Sequence, residues 1–250
     1  MKIYHLLPIA LIVSFNLSIA QQACNVSNMN VSNAYTDLVS NNIANAALSS
    51  SSTYSNTTGS PYLAETFEAS KIYFNNELVG TFYTRYNAFS KEIEVKKTKL
   101  EGEKASILNK NEDIRIVYNE KEIQYTSFLD LKGKKYSDYL VSMTNGLKYG
   151  LYKRINVKFR SGQEAQNSYQ KATPSRFTNS VEYFIKENQT NLIGQIPLKK
   201  SKLIKLFNNS DGIQVANLIK KESLRITKNQ DLIKILDFAN TLDTNYVLTN

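Results

Sequence analysis

The sequence predicts an α+β protein in which a mainly antiparallel β-sheet is followed by a small C-terminal helical unit. From Lys71 to Val95, apolar and polar residues alternate with a period of two, and Asn-rich turns interrupt the alternation. The pattern recurs through the central part of the chain, where Asn145-Gly146 is the strongest short hairpin signal. After Lys199 the apolar spacing becomes helical. We therefore expect a meander, a roll or an open sandwich over 60–197, with helices packed on it over 198–243.

The first twenty residues, 1–20, have the features of a secretory signal peptide. Lys2 supplies a charged start, Leu6 to Leu17 is an apolar run, and small residues precede a cleavage site after Ala20. The apolar run is shorter than the ~20 residues that a membrane-spanning helix needs. We predict a secreted or periplasmic protein whose mature chain has no transmembrane span.

The segment 21–59 is rich in Asn, Ser and Ala and has few large apolar residues. Such a composition buries too little surface to offset the entropy of ordering, so we predict a disordered tether there, and a short tail at 244–250. Attachment of a lipid to Cys24 is the less favoured alternative. Gln21 stands where lipoprotein signals carry a Leu-like residue, although Ala23 fits.

The composition excludes several kinds of chemistry. The only histidine, His5, lies in the predicted signal, and the chain has one cysteine and no tryptophan. Catalysis by Ser-His-Asp or Cys-His groups therefore cannot occur in the mature chain, and neither can a zinc site of the His or Cys-cluster type or an intrachain disulfide. We predict a non-catalytic protein without a cofactor or a metal.

Ten strands are predicted between the turn signals. In chain order they cover Lys71–Phe74, Leu78–Tyr86, Ile93–Val95, Ala105–Leu108, Asp113–Asn119, Glu122–Leu129, Tyr136–Thr144, Leu147–Arg160, Val181–Ile185 and Leu192–Ile196. Three short amphipathic helices follow. The first contains Leu203 and Leu206, the second runs from an N-cap at Ser210-Asp211 to Lys221, and the third begins at the capping-box spacing of Thr227 and Gln230.

The longest predicted strand carries the main candidate site, a row of basic residues interleaved with tyrosines. Its members are Lys148, Tyr149, Tyr152, Lys153, Arg154, Lys158 and Arg160. Cations that attract an anionic partner, together with tyrosines on which its rings stack, indicate a binding surface for an anionic glycan or an envelope protein. The simpler interpretation is that these are ordinary outward residues of exposed strands. No nucleic-acid-binding motif is present, so we expect no nucleic-acid partner.

Three further hypotheses name specific residues. Arg85, in the Arg85-Tyr86-Asn87 strand end, is a candidate ligand contact. A carrier of a lipid or another apolar ligand would need the sheet to enclose a cavity, lined by Phe82, Tyr86, Ile116 and Phe159. A carboxylate-based hydrolase would need an acidic cleft. The available carboxylates occur in i,i+2 pairs at Glu92, Glu94, Glu101, Glu103, Glu120 and Glu122.

Short motifs resemble a family of secreted Bacteroidota proteins. They are the SPYL entry at 60–63, the RYN strand end at 85–87, EIEV at 92–95, LYKRINVKF at 151–159 and SYQKATPSRF at 168–177. A terminal block like KLIKLF and DLIKIL closes the match. The resemblance implies a secreted β-rich domain with C-terminal helices, and it implies no activity, ligand or catalytic residue.

Overall fold

The computed structural model describes residues 38–40, 57–165, 171–207 and 209–242. These residues form a large, mostly antiparallel β-sheet followed by three helices, which confirms the predicted α+β class. None of the helices in these ranges is long and apolar enough to cross a membrane. The predicted signal at 1–20 and tail at 244–250 lie outside the described residues.

The elements closely follow the predicted order. The strands are β1 (Val39–Ser40), β2 (Glu68–Phe74), β3 (Glu77–Asn87), β4 (Glu92–Lys96), β5 (Ser106–Leu108), β6 (Ile114–Tyr118), β7 (Lys121–Leu129), β8 (Lys135–Asn145), β9 (Tyr149–Arg160), β10 (Arg176–Glu187) and β11 (Leu192–Gln195). The helices are α1 (Lys200–Ile204), α2 (Asn209–Lys221) and α3 (Asn229–Thr241).

Two of the hairpins are closed by residues in the left-handed region. Asn75 and Asn76 have φ values of 49° and 67° between β2 and β3, and Asn119 and Glu120 have 45° and 62° between β6 and β7. Positive φ at both central residues matches the right-handed twist of the flanking strands. Asparagine tolerates this conformation well, which is why the Asn-rich turns were readable from the sequence.

The eleven strands of the described chain form one sheet that closes on itself at one end. The order is β1-β5-β4-β3-β2-β6-β7-β11-β10-β9-β8, and β8 also pairs with β7. One edge of β7 is shared, because β6 pairs along its first half and β11 pairs in parallel at Leu129↔Gly194. Strands β7 to β11 therefore make a closed ring. Each contributes one side chain to a shared apolar cluster: Phe128, Leu140, Tyr152, Phe184 and Ile193.

Two larger apolar cores lie outside the ring. The first joins the open part of the sheet to β8, β9 and β10, and it contains the fully buried Ile72 and Ile116. The second holds the helices against β9 and β10, with Leu203 and Leu236 fully buried. The helices thus bury their apolar stripes on the sheet and on one another, as three short amphipathic helices must.

The segment predicted as a tether, 21–59, is described only at 38–40 and 57–59. Val39 and Ser40 pair with Leu108 and Ile107 and form an edge strand of the sheet. Leu38 is buried in the first apolar core, and its carbonyl accepts a hydrogen bond from the amide of Asn109 at 2.9 Å. These three residues are therefore packed on the sheet.

The Asn145-Gly146 turn differs from the predicted two-residue hairpin. Asn145 pairs with Gly150, so the loop is longer, and Gly146 does not adopt positive φ. The side chain of Asn240 on α3 shapes the loop, because its Oδ1 accepts hydrogen bonds from the amides of Lys148 and Tyr149 at 2.8 Å. Its Nδ2 donates to the carbonyl of Tyr149 at 3.0 Å. A tertiary contact therefore overrides the local turn preference.

The third helix begins differently from the prediction. Its N-cap is Lys228, which makes no side-chain capping hydrogen bond, so the capping box from Thr227 to Gln230 is wrong. Asp231, in the first turn of α3, contacts the turn that precedes the helix. Its carboxylate accepts a hydrogen bond from the amide of Arg225 at 2.7 Å, which ties the preceding turn to the first turn of α3.

Candidate anion-binding surface

The seven predicted residues of β9 and its preceding loop do not form one surface. Alternation separates Tyr149 and Lys153 from the other predicted residues of the strand. The remaining face of the strand lies partly inside the ring and is exposed only towards its end. Tyr149 is buried in the helical core, where its ring meets Phe207 edge-on at 5.3 Å. Lys148 lies 3.6 Å from the buried carboxylate of Asp211 and donates to the carbonyl of Leu242. These two residues hold the helical unit to the sheet.

Tyr152 and Lys153 are half-buried. Tyr152 belongs to the cluster inside the ring, and burial raises the pKa of its hydroxyl. Burial, followed by repulsion from Lys121, lowers the pKa of the Lys153 ammonium. Neither side chain is fully available to a ligand in solvent.

Arg154 points into the ring and is the centre of an ion network. Its Nε donates to Glu182, the residue opposite it on β10, at 2.8 Å, and Nη1 lies 3.5 Å from Asp138. The guanidinium also lies over the ring of Phe128, 5.0 Å from its centroid. Lys91, in the β3–β4 turn, also pairs with Asp138, so the network connects this turn to the ring. Arg154 thus has a structural role.

Lys158 and Arg160, at the far end of β9, are exposed, as predicted for the outer row of this strand. The antiparallel register places Arg176 of β10 directly opposite Arg160, while Thr178 lies opposite Lys158. We call Lys158, Arg160 and Arg176 the basic cluster. Within the described chain, none of the three makes an ion pair. Glu164, in the loop that follows β9, is exposed, and it makes no ion pair with either arginine within the described chain.

The backbone under the basic cluster is held on both sides. On the opposite face, Phe159 and Phe177 pack with ring centroids 5.3 Å apart. Beyond β9, Gln163 and Thr173 exchange backbone hydrogen bonds of 2.9 Å, and the amide of Gly162 donates to Ser175 Oγ at 2.9 Å. A Cβ on Gly162 would lie 2.4 Å from the carbonyl oxygen of Thr173, so this close approach requires glycine.

Arg85 is engaged in a second ion network. Its Nε donates to the buried carboxylate of Glu94, opposite it on β4, at 3.0 Å, and its Nη2 donates to the hydroxyl of Tyr62 at 3.1 Å. Its Nη1 donates to the carbonyl of Glu65 at 3.1 Å. The rings of Tyr62 and Phe67 lie 3.8 and 4.5 Å from the guanidinium carbon. Most of its donors are therefore already used within the protein.

This network also changes the acidity of Tyr62. Burial and the negative charge of Glu94 raise the pKa of its hydroxyl to about 12, although the positive charge of Arg85 acts in the opposite direction. The strap formed by residues 61–65 is thus fastened to β3 by a protonated tyrosine, an arginine and a carboxylate. The sequence pattern showed Arg85 at a strand end and gave no sign of these partners.

A small cavity lies beside Arg85, between this strap and the sheet. It has a volume of about 20 Å³, and its lining includes Glu68, Thr84, Tyr86, Ile116 and Tyr118. That volume accommodates about one water molecule. Of the four residues proposed to line a ligand cavity, Tyr86 and Ile116 border it, whereas Phe82 is buried in the first core and Phe159 packs against that core. The cavity leaves no room for an acyl chain.

The carboxylates are dispersed. Glu94 is paired with Arg85, Glu122 with Arg115 at 3.2 Å, and Glu103 accepts hydrogen bonds from the amides of Lys97 and Thr98. Among the residues that the structure describes, no three His, Cys, Asp or Glu side chains are grouped so that they could hold a metal ion.

Arg176 is the residue of the basic cluster that the sequence did not reveal. Only the register of β9 with β10 places it beside Arg160, because the polar segment 161–175 separates the two arginines in the sequence. No protein family, curated protein or solved structure matches the chain. The resemblance to secreted Bacteroidota proteins therefore stays a prediction.

Proposed function

We propose that the protein is a secreted or periplasmic, non-catalytic binding module that holds an anionic glycan at the basic cluster. The observation that carries the proposal is the cross-strand pair Arg160–Arg176. Like charges directly opposite each other destabilise a sheet, by up to about 1 kcal/mol. The pair therefore has a cost in the free protein that a bound anion would remove.

Two other arginines of the sheet lie directly opposite a carboxylate. Arg85 lies opposite Glu94, and Arg154 lies opposite Glu182, in the same kind of antiparallel register. These opposite charges stabilise the pairing of the strands. Arg115 lies opposite Gln124 and pairs with the neighbouring Glu122. Among the arginines of the described strands, only Arg160 and Arg176 lie opposite another arginine.

The geometry favours a ligand with several negative charges over a single small anion. The basic cluster is exposed and open, so one ion would stay hydrated and gain little. A chain of sulfate or uronate groups can contact Lys158, Arg160 and Arg176 together, and arginine binds such planar or tetrahedral oxyanions with two parallel hydrogen bonds. The packed phenylalanines underneath fix the strands, so that little entropy is lost on binding.

The test is the affinity of the full chain for a heparin octasaccharide, used as the anionic probe, measured by calorimetry over a series of salt concentrations. We expect Arg160→Gln with Arg176→Gln to weaken binding roughly ten- to a hundredfold, because each charged contact contributes about 1.5–3 kcal/mol before screening. The salt dependence should become shallower as contacts are lost. Lys104→Gln with Lys110→Gln is the matched control, since both lysines are exposed and the total charge lost is the same.

A further variant separates a specific site from a general effect of net charge. Glu164 is exposed and follows Arg160 by four residues, so removal of its negative charge in Glu164→Gln should tighten binding. Equal weakening in the control and in the arginine variant would contradict the proposal, as would the absence of binding by the unmodified protein.

A further inference from the structure

The helical unit carries a second basic surface, at the other end of β9. Lys199, Lys200, Lys202 and Lys205, on and around α1, are all exposed, and none makes an ion pair within the described chain. The exposed side of α2 contains Lys220 but no acidic residue. We call the four lysines around α1, with the apolar residues described next, the lysine surface.

Exposed aliphatic side chains accompany these lysines. Leu198 is 71% exposed, Ile213 is 66% exposed and Leu206 is 41% exposed. The first turn of α2, which contains Ile213, packs on the end of α1, since a Cβ on Gly212 would be 3.0 Å from the carbonyl oxygen of Ile204. Single exposed leucines are common on proteins. The unusual feature is that several exposed aliphatic residues lie among lysines that make no ion pair within the described chain.

A third element reaches the same end of the molecule. Leu147, at the tip of the β8–β9 loop, is 89% exposed. Its neighbour Lys148 lies 3.6 Å from Asp211, at the start of α2, and Asn240 fastens the loop to α3. The exposed aliphatic side chains therefore extend from well-packed elements, because the inward side chains of α1 and α2, such as Leu203 and Val215, are fully buried.

We propose that the lysine surface docks on an anionic lipid bilayer. Lysines attracted to acidic headgroups, with aliphatic side chains that enter the boundary of the acyl chains, are the combination by which proteins bind a membrane surface without crossing it. The composition argues against a protein partner, because protein interfaces are depleted in lysine and enriched in aromatic residues and arginine. The proposal is independent of glycan binding.

The position of the lysine surface predicts how the molecule would be oriented on a bilayer. Strand β9 has 12 residues, and the steps from its first to its last residue span about 36 Å at ~3.3 Å per step. Lys148 stands at its helical end and Arg160 at the other, so docking through α1 would direct the basic cluster away from the membrane.

The first experiment is co-sedimentation of the full chain with vesicles of phosphatidylcholine that contain about a third of phosphatidylglycerol. We expect binding to these vesicles and none to phosphatidylcholine alone. Replacing Lys199, Lys200, Lys202 and Lys205 with Gln should lower the partition coefficient on the order of a hundredfold, given about 1 kcal/mol per lysine near such a surface and partial screening. Lys104→Gln with Lys110→Gln is the control and should leave vesicle binding nearly unchanged, since both lysines are exposed and lie outside the lysine surface.

Because the chain has no tryptophan, Ile213→Trp supplies a single fluorescent reporter. On anionic vesicles its emission should shift to the blue, and Leu206→Ser should reduce the shift. The proposal is overturned if the full chain does not bind anionic vesicles, or if the Lys104 and Lys110 control weakens binding as much as the four lysine substitutions do. A blue shift produced by a soluble protein instead of by lipid would show that the surface is a protein interface.

Discussion

The replacement of Arg154 by Gln tests whether this residue belongs to the interior of the protein or to a binding surface. Its side chain is only 18% exposed, and Asp138, one of its partners, is 3% exposed. Removing one partner of a buried ion pair costs about 3–5 kcal/mol, because the other charge stays buried without compensation. Lys91 still pairs with Asp138, and Glu182 is partly exposed, so we expect a loss of about 2–3 kcal/mol.

The assay is thermal unfolding of Arg154→Gln beside Arg160→Gln, with urea titration as a second measure. A loss of this size should lower Tm by roughly 5–10 °C in a chain of this length. Arg160 is exposed, makes no ion pair within the described chain and lies opposite Arg176, so Arg160→Gln should leave the stability unchanged or raise it by up to about 1 kcal/mol. Adding Asp138→Asn to Arg154→Gln should recover part of the loss. If the two arginine variants melt at the same temperature, the buried network described for Arg154 is refuted.

Three further predictions concern packing and protonation. Gly146→Ala should destabilise the protein by about 1–3 kcal/mol, because the added Cβ would lie 2.0 Å from Nδ2 of Asn240 and displace the hydrogen bonds of that side chain. Gly102→Ala is the control and should not destabilise it, because the added Cβ would meet no described atom within 4 Å outside its own residue and its two chain neighbours. Tyr139→Phe should raise the free energy of unfolding by about 1 kcal/mol in urea titration at neutral pH, since the Tyr139 hydroxyl is buried and has no hydrogen-bond partner among the described residues. A loss of stability would show that it has one. The pKa of Tyr62 is raised to about 12, so its contribution to stability is complete below pH 10 and is lost as the pH rises to 12; Tyr62→Phe should reduce the loss seen in this window, and an unchanged loss would contradict the assignment.

The local part of the fold could be predicted from the sequence. The β2–β3 and β6–β7 hairpins were readable because their turn residues, such as Asn75 and Asn119, favour the positive φ that these turns require. The closure of the ring was not readable, because it depends on the pairing of Gly194 with Leu129, which no local pattern encodes. The Asn145-Gly146 turn was predicted wrongly for a similar reason: the distant Asn240 determines its shape.

The candidate site was partly predictable. Alternation along β9 correctly indicated that Lys158 and Arg160 face outward, beside buried Ile155 and Val157. Grouping all cations of the strand into one surface ignored this alternation for Lys153. It also missed that Arg154, on the same face of the strand as Arg160, is enclosed by the ring and paired there. Arg176 enters the site only through the tertiary pairing of β9 with β10.

The central claim, that an anionic glycan binds at the basic cluster, is tested most directly by mapping the bound probe on the folded protein. A heparin octasaccharide would be titrated into the isotope-labelled full chain, with backbone amide shifts recorded by NMR. We predict that the largest shifts occur at Lys158, Arg160 and Arg176 and disappear with Arg160→Gln and Arg176→Gln. Shifts concentrated on the lysines of α1, or spread over all exposed lysines, would contradict the account.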